Sequence, residues 1–223
     1  MLSLKTDQIE KYFLLFIRYG EFTMVPVCEF IANLALIESA LSRSDLTMGS
    51  IIECGTWRGG MAAALVHLLG PNREFHFFDS FQGLPPATEE DGPDALCWQQ
   101  NPSGPRYFNN CTASRRELDS VMRLVPHHNC SVNVYEGWFK DTFVTAQTGP
   151  ISVLRLDADW YNSYMLCLDT FWPRLLPGAI VIIDDYYCWE GCRKAVHQFL
   201  AREKAVEAIC QTPFAGVAYI VKK

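Results

Sequence analysis

The sequence predicts an α/β fold: a single doubly wound, mostly parallel sheet carrying an N-terminal helical extension. Three observations carry that prediction. From Ser50 onward, short apolar runs alternate with longer stretches of helical periodicity, as in a parallel sheet with crossover helices. A glycine-rich turn, Glu53-Cys-Gly-Thr-Trp-Arg-Gly-Gly60, joins the first run to the first of these helices. Two later runs, Ile151-Ser-Val-Leu-Arg-Leu156 and Ala179-Ile-Val-Ile-Ile183, end in aspartate pairs, Asp157 with Asp159 and Asp184 with Asp185.

Residues 1–49 read as helices. A short one covers 8–18, and Val27, Phe30, Ile31, Leu34, Ile37 and Leu41 recur at the spacing of a second. Then come a strand at 50–54, a helix at 61–69 rich in Ala and Leu, and a strand at 74–78. Residues 82–112 interrupt the alternation: the segment is dense in Pro, Gly, Asn and Gln, including Leu84-Pro-Pro86 and Asn101-Pro-Ser-Gly-Pro105. A structureless stretch of this length inside a domain reads as a lid insertion or a disordered loop. A helix at 114–124, strands at 132–135 and 151–156, and a helix at 164–175 follow. Pro177-Gly178 stops that helix and starts the strand ending at Asp185. A helix at 190–204 and a strand at 215–221 complete one domain spanning 1–223.

At 223 residues, 49% hydrophobic and 20% charged, the chain can bury a large core. Its net charge is −6 with scattered lysines and arginines, which argues against nucleic acid as a partner. Residues 1–7 lack the basic start and apolar run of a signal peptide, and the apolar stretch 12–17 is too short for a bilayer. Nine cysteines, an odd number dispersed through predicted elements, argue against a disulfide framework. Cys188, Cys192, His127, His128 and Cys130 show no zinc-ligand spacing. The expectation is a cytoplasmic protein with reduced thiols and no membrane contact, with a homodimer as its candidate assembly.

In open α/β sheets ligands bind outside the carboxyl ends of the strands. Gly55 allows a tight turn, and Gly59 and Gly60 let a ligand approach the helix N-terminus. Glu53 would repel a pyrophosphate but attract an ammonium. Asp79 ends the second strand 24 positions after Gly55, near the offset at which an acid grips ribose hydroxyls. Together these fit S-adenosylmethionine better than NAD; a plain turn and a helix cap are the bland alternatives. Asp157 and Asp159, two apart, share a face of an extended segment, and with Asp184 and Asp185 they fit Mg²⁺. The alternatives are helix caps, or pairing with Arg155 or Arg193.

Glu53–Gly60, Phe78-Asp-Ser-Phe-Gln-Gly-Leu-Pro85, Gly137-Trp-Phe-Lys-Asp-Thr142, Leu154-Arg-Leu-Asp-Ala-Asp-Trp-Tyr161, Ile182-Ile-Asp-Asp-Tyr186 and Cys192-Arg-Lys-Ala-Val196 resemble, in order, the macrocin O-methyltransferase family. The resemblance implies a class I S-adenosylmethionine-dependent methyltransferase fold, Rossmann-like, and Mg²⁺-dependent methylation of a hydroxyl on a sugar or glycosylated secondary metabolite, as in antibiotic biosynthesis. By position, it implies Asp157, Asp184 and Asp185 as metal ligands and Asp159 as general base. It implies cofactor contacts from Thr23, Met24, Glu53, Gly55, Thr56, Trp57, Gly59, Gly60, Asp79, Ser80, Trp138 and Asp157. Residues 87–111 and those after Ala201 match no motif of the family, so the acceptor stays open; the rivals are a catechol-like diol as acceptor and, in another class, a non-catalytic S-adenosylmethionine-binding protein. Trp98, Phe108 and Trp160 are expected either to line the acceptor site or to fill the core.

Overall fold

Strands β1 (Ser50–Cys54), β2 (Glu74–Asp79), β3 (Ser131–Glu136), β4 (Ile151–Leu156), β5 (Leu175–Ile183), β6 (Ile209–Gln211) and β7 (Ala218–Val221) form one sheet. Its order is β3-β2-β1-β4-β5-β7-β6 in a computed structural model that describes residues 5–42, 46, 48–70, 72–126 and 131–223. The first five strands of that order are parallel, and β7 runs antiparallel to both β5 and β6. Every residue of β1 and β4 is buried, as expected of a parallel sheet covered on both faces.

The helices are α1 (Thr6–Tyr19), α2 (Val27–Leu41), α3 (Gly60–Leu69), α4 (Gly92–Gln100), α5 (Arg115–Met122), α6 (Phe139–Thr142), α7 (Tyr161–Phe171) and α8 (Glu190–Arg202). α1, α2 and α3 pack on one another, and α8 packs on both α4 and α7. After β1 the chain steps outward to β2 and β3, then returns to lay β4 on the other side of β1. That reversal opens a crevice at the carboxyl ends of β1 and β4, where the glycine-rich turn and the aspartates lie.

Three expectations need correction. Residues 82–112 are not structureless: they hold α4 and two short 3₁₀ turns, Glu89–Asp91 and Asn109–Cys111. Side chains supply the order that the composition hides. Gln99 accepts from the Ala87 amide at 2.7 Å and donates to the Pro85 carbonyl, while Asn110 donates to the Leu84 carbonyl at 2.8 Å. Buried Asp91 accepts from the amides of Thr88 and Tyr161 at 2.7 and 2.6 Å, pinning the insertion to the start of α7.

The helix expected at 164–175 is α7, displaced towards the N-terminus; a 3₁₀ turn containing Pro173 ends it at Trp172–Arg174. Pro177-Gly178 lies inside β5, not before it. The β4–β5 register slips between Ile151 and Val153 there, and a bulge tolerates a residue without an N–H. β6 was not expected. The eight described cysteines are free thiols; His127, His128 and Cys130 lie outside the described residues. Among the described residues no helix is long and apolar enough to cross a membrane.

Candidate active site

Backbone contact sets the relation between the first turn and the aspartates. Gly55 has φ +85°, and a Cβ there would sit 1.7 Å from the carbonyl oxygen of Asp157. Only glycine fits such an approach. The Asp157 amide donates to the Cys54 carbonyl at 2.9 Å, so the tips of β1 and β4 are tied directly. Asp79, at the end of β2, accepts from the amides of Thr56 and Trp57 at 2.9 and 2.7 Å through Oδ2, and from Phe81 at 2.7 Å through Oδ1. Burial raises its pKa against these three amides, which pull it down. A Cβ on Gly60 would meet the backbone of Tyr19 and Phe22 at 2.6 Å, so the stretch before Thr23 lies on the N-terminus of α3.

That turn has unmet polar demand. Among the described residues, three buried side-chain atoms have neither a hydrogen bond nor an ion pair: Glu53 Oε2, Thr56 Oγ1 and Trp57 Nε1. Native proteins leave few such groups without a partner, and these three fall within five consecutive residues.

Arg155 is the hub below. Buried in β4, its Nη1 donates to Glu53 Oε1 at 2.9 Å and to Asp157 Oδ2 at 3.0 Å, and its Nε donates to Asn33 Oδ1 of α2 at 3.2 Å. Its Nη2 forms an ion pair with Asp184 Oδ1 at 2.8 Å. Burial works against the guanidinium charge, but Asp184, Asp157 and Glu53 outweigh it and raise its pKa. One cation does not satisfy this many carboxylates. Burial, opposed mainly by Arg155, brings Glu53 up to about 7. Burial and then neighbouring Asp184 hold Asp157 well above the usual range; burial and then Asp159 do so for Asp185. Burial and then Asp157 push Asp159 up to about 8.

Oxygens of Asp157, Asp159 and Asp185 lie within 4.8 Å of one another. Asp185 Oδ2 accepts from the amides of Ala158 and Asp159 at 3.1 and 2.9 Å, and from the hydroxyl of buried Tyr164 at 2.8 Å. Asp159 has φ +55°, sparsely populated for a residue with a side chain. Its Oδ1 accepts the indole N–H of Trp189 at 3.0 Å. Asp184 faces Arg155 and stands outside this close set.

A cleft adjoins the cluster, lined by Gly55, Asp79, Ser80, Trp138 and Asp157 with Gly83–Pro85 of the insertion. Those five are among the expected cofactor residues. Ser80 spends its hydroxyl in the turn, donating to the Gly83 carbonyl at 3.0 Å. Thr23 and Met24 do not line the cleft; Thr23 Oγ1 accepts from the Val25 amide and Met24 is exposed. Gly59 caps α3 with φ +88° and packs on Leu118 of α5. Trp160 is a core residue at 1% exposure, whereas Trp98 is half-buried and Phe108 exposed against Trp57. Sequence reasoning missed Asn33, Tyr164 and Trp189. Trp189 alone carried a signal, as an aromatic four residues beyond an aspartate pair.

The sequence matches the family model described as macrocin-O-methyltransferase (TylF) over residues 23–220. The chain belongs to the macrocin-O-methyltransferase family. Mycinamicin III 3''-O-methyltransferase of Micromonospora griseorubida is 34% identical over 188 residues, 81% of this chain and 71% of the relative. A 4'-O-methyltransferase of Streptomyces olivaceus acting on a rhamnosyl tetracenomycin is 31% identical over 81% of this chain and 68% of its own length. Among solved structures, the O-methyltransferase NovP superposes with TM-score 0.72 at 27% identity, covering 91% of this chain and 82% of NovP. The fold is that of class I S-adenosylmethionine-dependent methyltransferases, and the chain is an O-methyltransferase.

Proposed function

We propose that this protein methylates a hydroxyl of a sugar or glycosylated natural product, taking the methyl group from S-adenosylmethionine with the help of Mg²⁺. The three orphaned atoms on Glu53, Thr56 and Trp57 carry the cofactor part. An acceptor oxygen, a hydroxyl and an indole donor in one buried turn suit the ammonium, carboxylate and hydroxyl groups of that cofactor. The relatives' acceptors, mycinamicin III and a rhamnosyl tetracenomycin, point to a glycoside.

The donor set fits a hard divalent cation. Carboxylate oxygens are its preferred ligands, and burial together with the neighbouring carboxylates raises the pKa values of Asp157 and Asp185. Asp157 and Asp185 would hold the ion, and Asp184, paired with Arg155, would be the third carboxylate beside them. Mg²⁺ bound there supplies a Lewis acid that lowers the pKa of a sugar hydroxyl. Asp159, within 4.8 Å of the same cluster, takes the proton on the oxygen that Trp189 leaves free. S-adenosylmethionine, held by Glu53, Thr56 and Trp57, would supply the methyl group on its sulfonium and would leave as the neutral thioether. Gly83–Pro85 close one side of the cleft and exclude water.

The test is methyl transfer from S-adenosylmethionine to a panel of deoxysugar glycosides and catechols, with and without chelator, read by mass. Mg²⁺-dependent methylation of a glycoside is expected. Transfer to catechols alone would reassign the acceptor, and undiminished transfer in chelator would remove the metal.

A further inference from the structure

We infer that Asp91 is a positioning residue for the reaction: from the insertion, it sets the two helix starts that bring Asp159 and Trp189 together. The inference rests on the proposed role of Asp159 as proton acceptor. Asp159 stands two residues before α7, and Trp189 is the residue before α8. Their hydrogen bond at 3.0 Å therefore depends on how those two helices begin. The first amides of a helix have no partner within it, and Trp160 and Trp189, at the cap positions, offer them no side-chain acceptor. Asp91 serves the first helix from outside. Its Oδ1 accepts the amide of Tyr161, the first residue of α7, at 2.6 Å. Its Oδ2 accepts from the amide and the hydroxyl of Thr88 at 2.7 and 2.9 Å.

The same side chain lies against the second helix. Gly191, buried in the first turn of α8, could not carry a Cβ without meeting Asp91 Oδ1 at 2.7 Å and Asp91 Cα at 2.8 Å. Asp91, itself 1% exposed, thus stands at the N-termini of both helices, where their dipoles favour a negative charge. The turn between β4 and α7 needs such a hold. Asp159 at φ +55° occupies a conformation that persists only where its surroundings impose it. Asp185 grips that turn on one side through the amides of Ala158 and Asp159, and Asp91 grips it on the other through Tyr161. An exposed ion pair between Glu90 and Lys194 also ties the insertion to α8. Exposed pairs contribute little, so the buried carboxylate carries the junction.

The signature to follow is the indole N–H of Trp189, read by nuclear magnetic resonance in protein carrying isotope-labelled tryptophan. Its signal is the one that Trp189→Phe removes. Asp91→Ala should move that signal upfield, the mark of a weakened hydrogen bond, and should speed hydrogen exchange at the Tyr161 amide. Turnover should fall roughly 10-fold, the effect of losing one hydrogen bond to a charged group, while the Kd for S-adenosylhomocysteine stays within about twofold. Asp91→Ala combined with Trp189→Phe should lose about as much turnover as the worse single variant, because both break one contact. Independent sites would multiply to roughly 100-fold. Gly191→Ala keeps the carboxylate and favours the helix by propensity, yet it should reproduce the loss by pushing Asp91 off Tyr161. It carries the test if Asp91→Ala does not fold. Lys194→Ala should leave every reading at the wild-type value. An unmoved indole signal in Asp91→Ala, or in Gly191→Ala where Asp91→Ala does not fold, overturns the inference. So do multiplied losses in the double variant, and so does a Lys194→Ala variant that matches Asp91→Ala. Full turnover in Asp159→Asn would remove the proton acceptor itself, and the inference with it. The indole and amide readings need no turnover, and they tell that failure from a failure of the contact.

Discussion

The indole of Trp189 donates to Oδ1 of Asp159 at 3.0 Å, joining the residue before α8 to the aspartate after β4. The bond fixes which carboxylate oxygen is free, and it sits beside a contact between Trp189 and Trp160 at 5.1 Å.

Trp189→Phe keeps the ring packing and removes the donor. Turnover should fall roughly 10-fold, in line with losing one hydrogen bond to a charged group. Affinity for Mg²⁺ and for S-adenosylhomocysteine should stay within a factor of two of wild type, about the margin of such measurements. Calorimetry alongside steady-state kinetics separates the two outcomes.

The two acids of the Asp157–Asp159 motif should fail differently. Asp157→Asn should weaken Mg²⁺ and lose activity that high Mg²⁺ partly restores. Asp159→Asn should keep metal affinity and lose roughly 10²–10⁴-fold in turnover, the contribution typical of a general base. Equal loss of Mg²⁺ binding in both would make Asp159 a ligand.

Arg155→Met should be among the most damaging substitutions in the chain. It leaves Glu53, Asp157 and Asp184 without their shared partner, and breaking a buried ion pair costs about 3–5 kcal/mol. Urea unfolding measures this. Arg155→Lys should recover only part, since one ammonium cannot reach all three carboxylates as a guanidinium does.

Cofactor affinity should depend on pH through Glu53. Its pKa in the folded protein is raised to about 7 from 4.5, with burial the main cause. Below that value the side chain is neutral and offers the cofactor's ammonium no charge; above it the carboxylate is present. Affinity for S-adenosylhomocysteine should therefore climb between pH 6 and 8, by up to about 10-fold per unit, and level off beyond. Glu53→Gln should flatten the profile. The stability that neutral Glu53 confers runs the opposite way, complete below its unfolded pKa and lost as pH rises through about 7.

Residues 82–111 should gain hydrogen-exchange protection when S-adenosylhomocysteine and Mg²⁺ are both bound. Their backbone is already pinned by Gln99, Asn110 and Asp91, and Gly83–Pro85 line the cleft. Protection identical with and without ligands would mean the insertion is a fixed wall.

The sheet was legible because β1, β2, β4 and β5 are mainly apolar runs with glycine or aspartate at or just past their ends. α4 was not: its residues, Gly-Pro-Asp-Ala-Leu-Cys-Trp-Gln-Gln, read as loop. What holds it is a web of amide side chains to carbonyls 11 to 26 positions away, which no local pattern reveals. Asp157, Asp159, Asp184 and Asp185 were legible as a group from their places at strand ends. Their division was not. Arg155 draws Asp184 aside, and that depends on the β4–β5 register, Arg155 opposite Ile182. Asn33 reaches Arg155 from α2, 122 positions away, so only the folded chain brings it in.

The contact of Gly55 with the Asp157 carbonyl has a consequence for how this enzyme family diversifies. Two backbones in van der Waals touch leave no side chain between them to adjust, so the turn after β1 and the acid after β4 move as one solid piece. A change of acceptor cannot be met by shifting one against the other. Adaptation must fall on parts fastened to that piece by side chains alone, the insertion after β2 and the tryptophan before α8. On the proposed function, the turn and the acid that hold the cofactor and the ion are joined through the main chain, and the choice of partner molecule is left to what is bolted on.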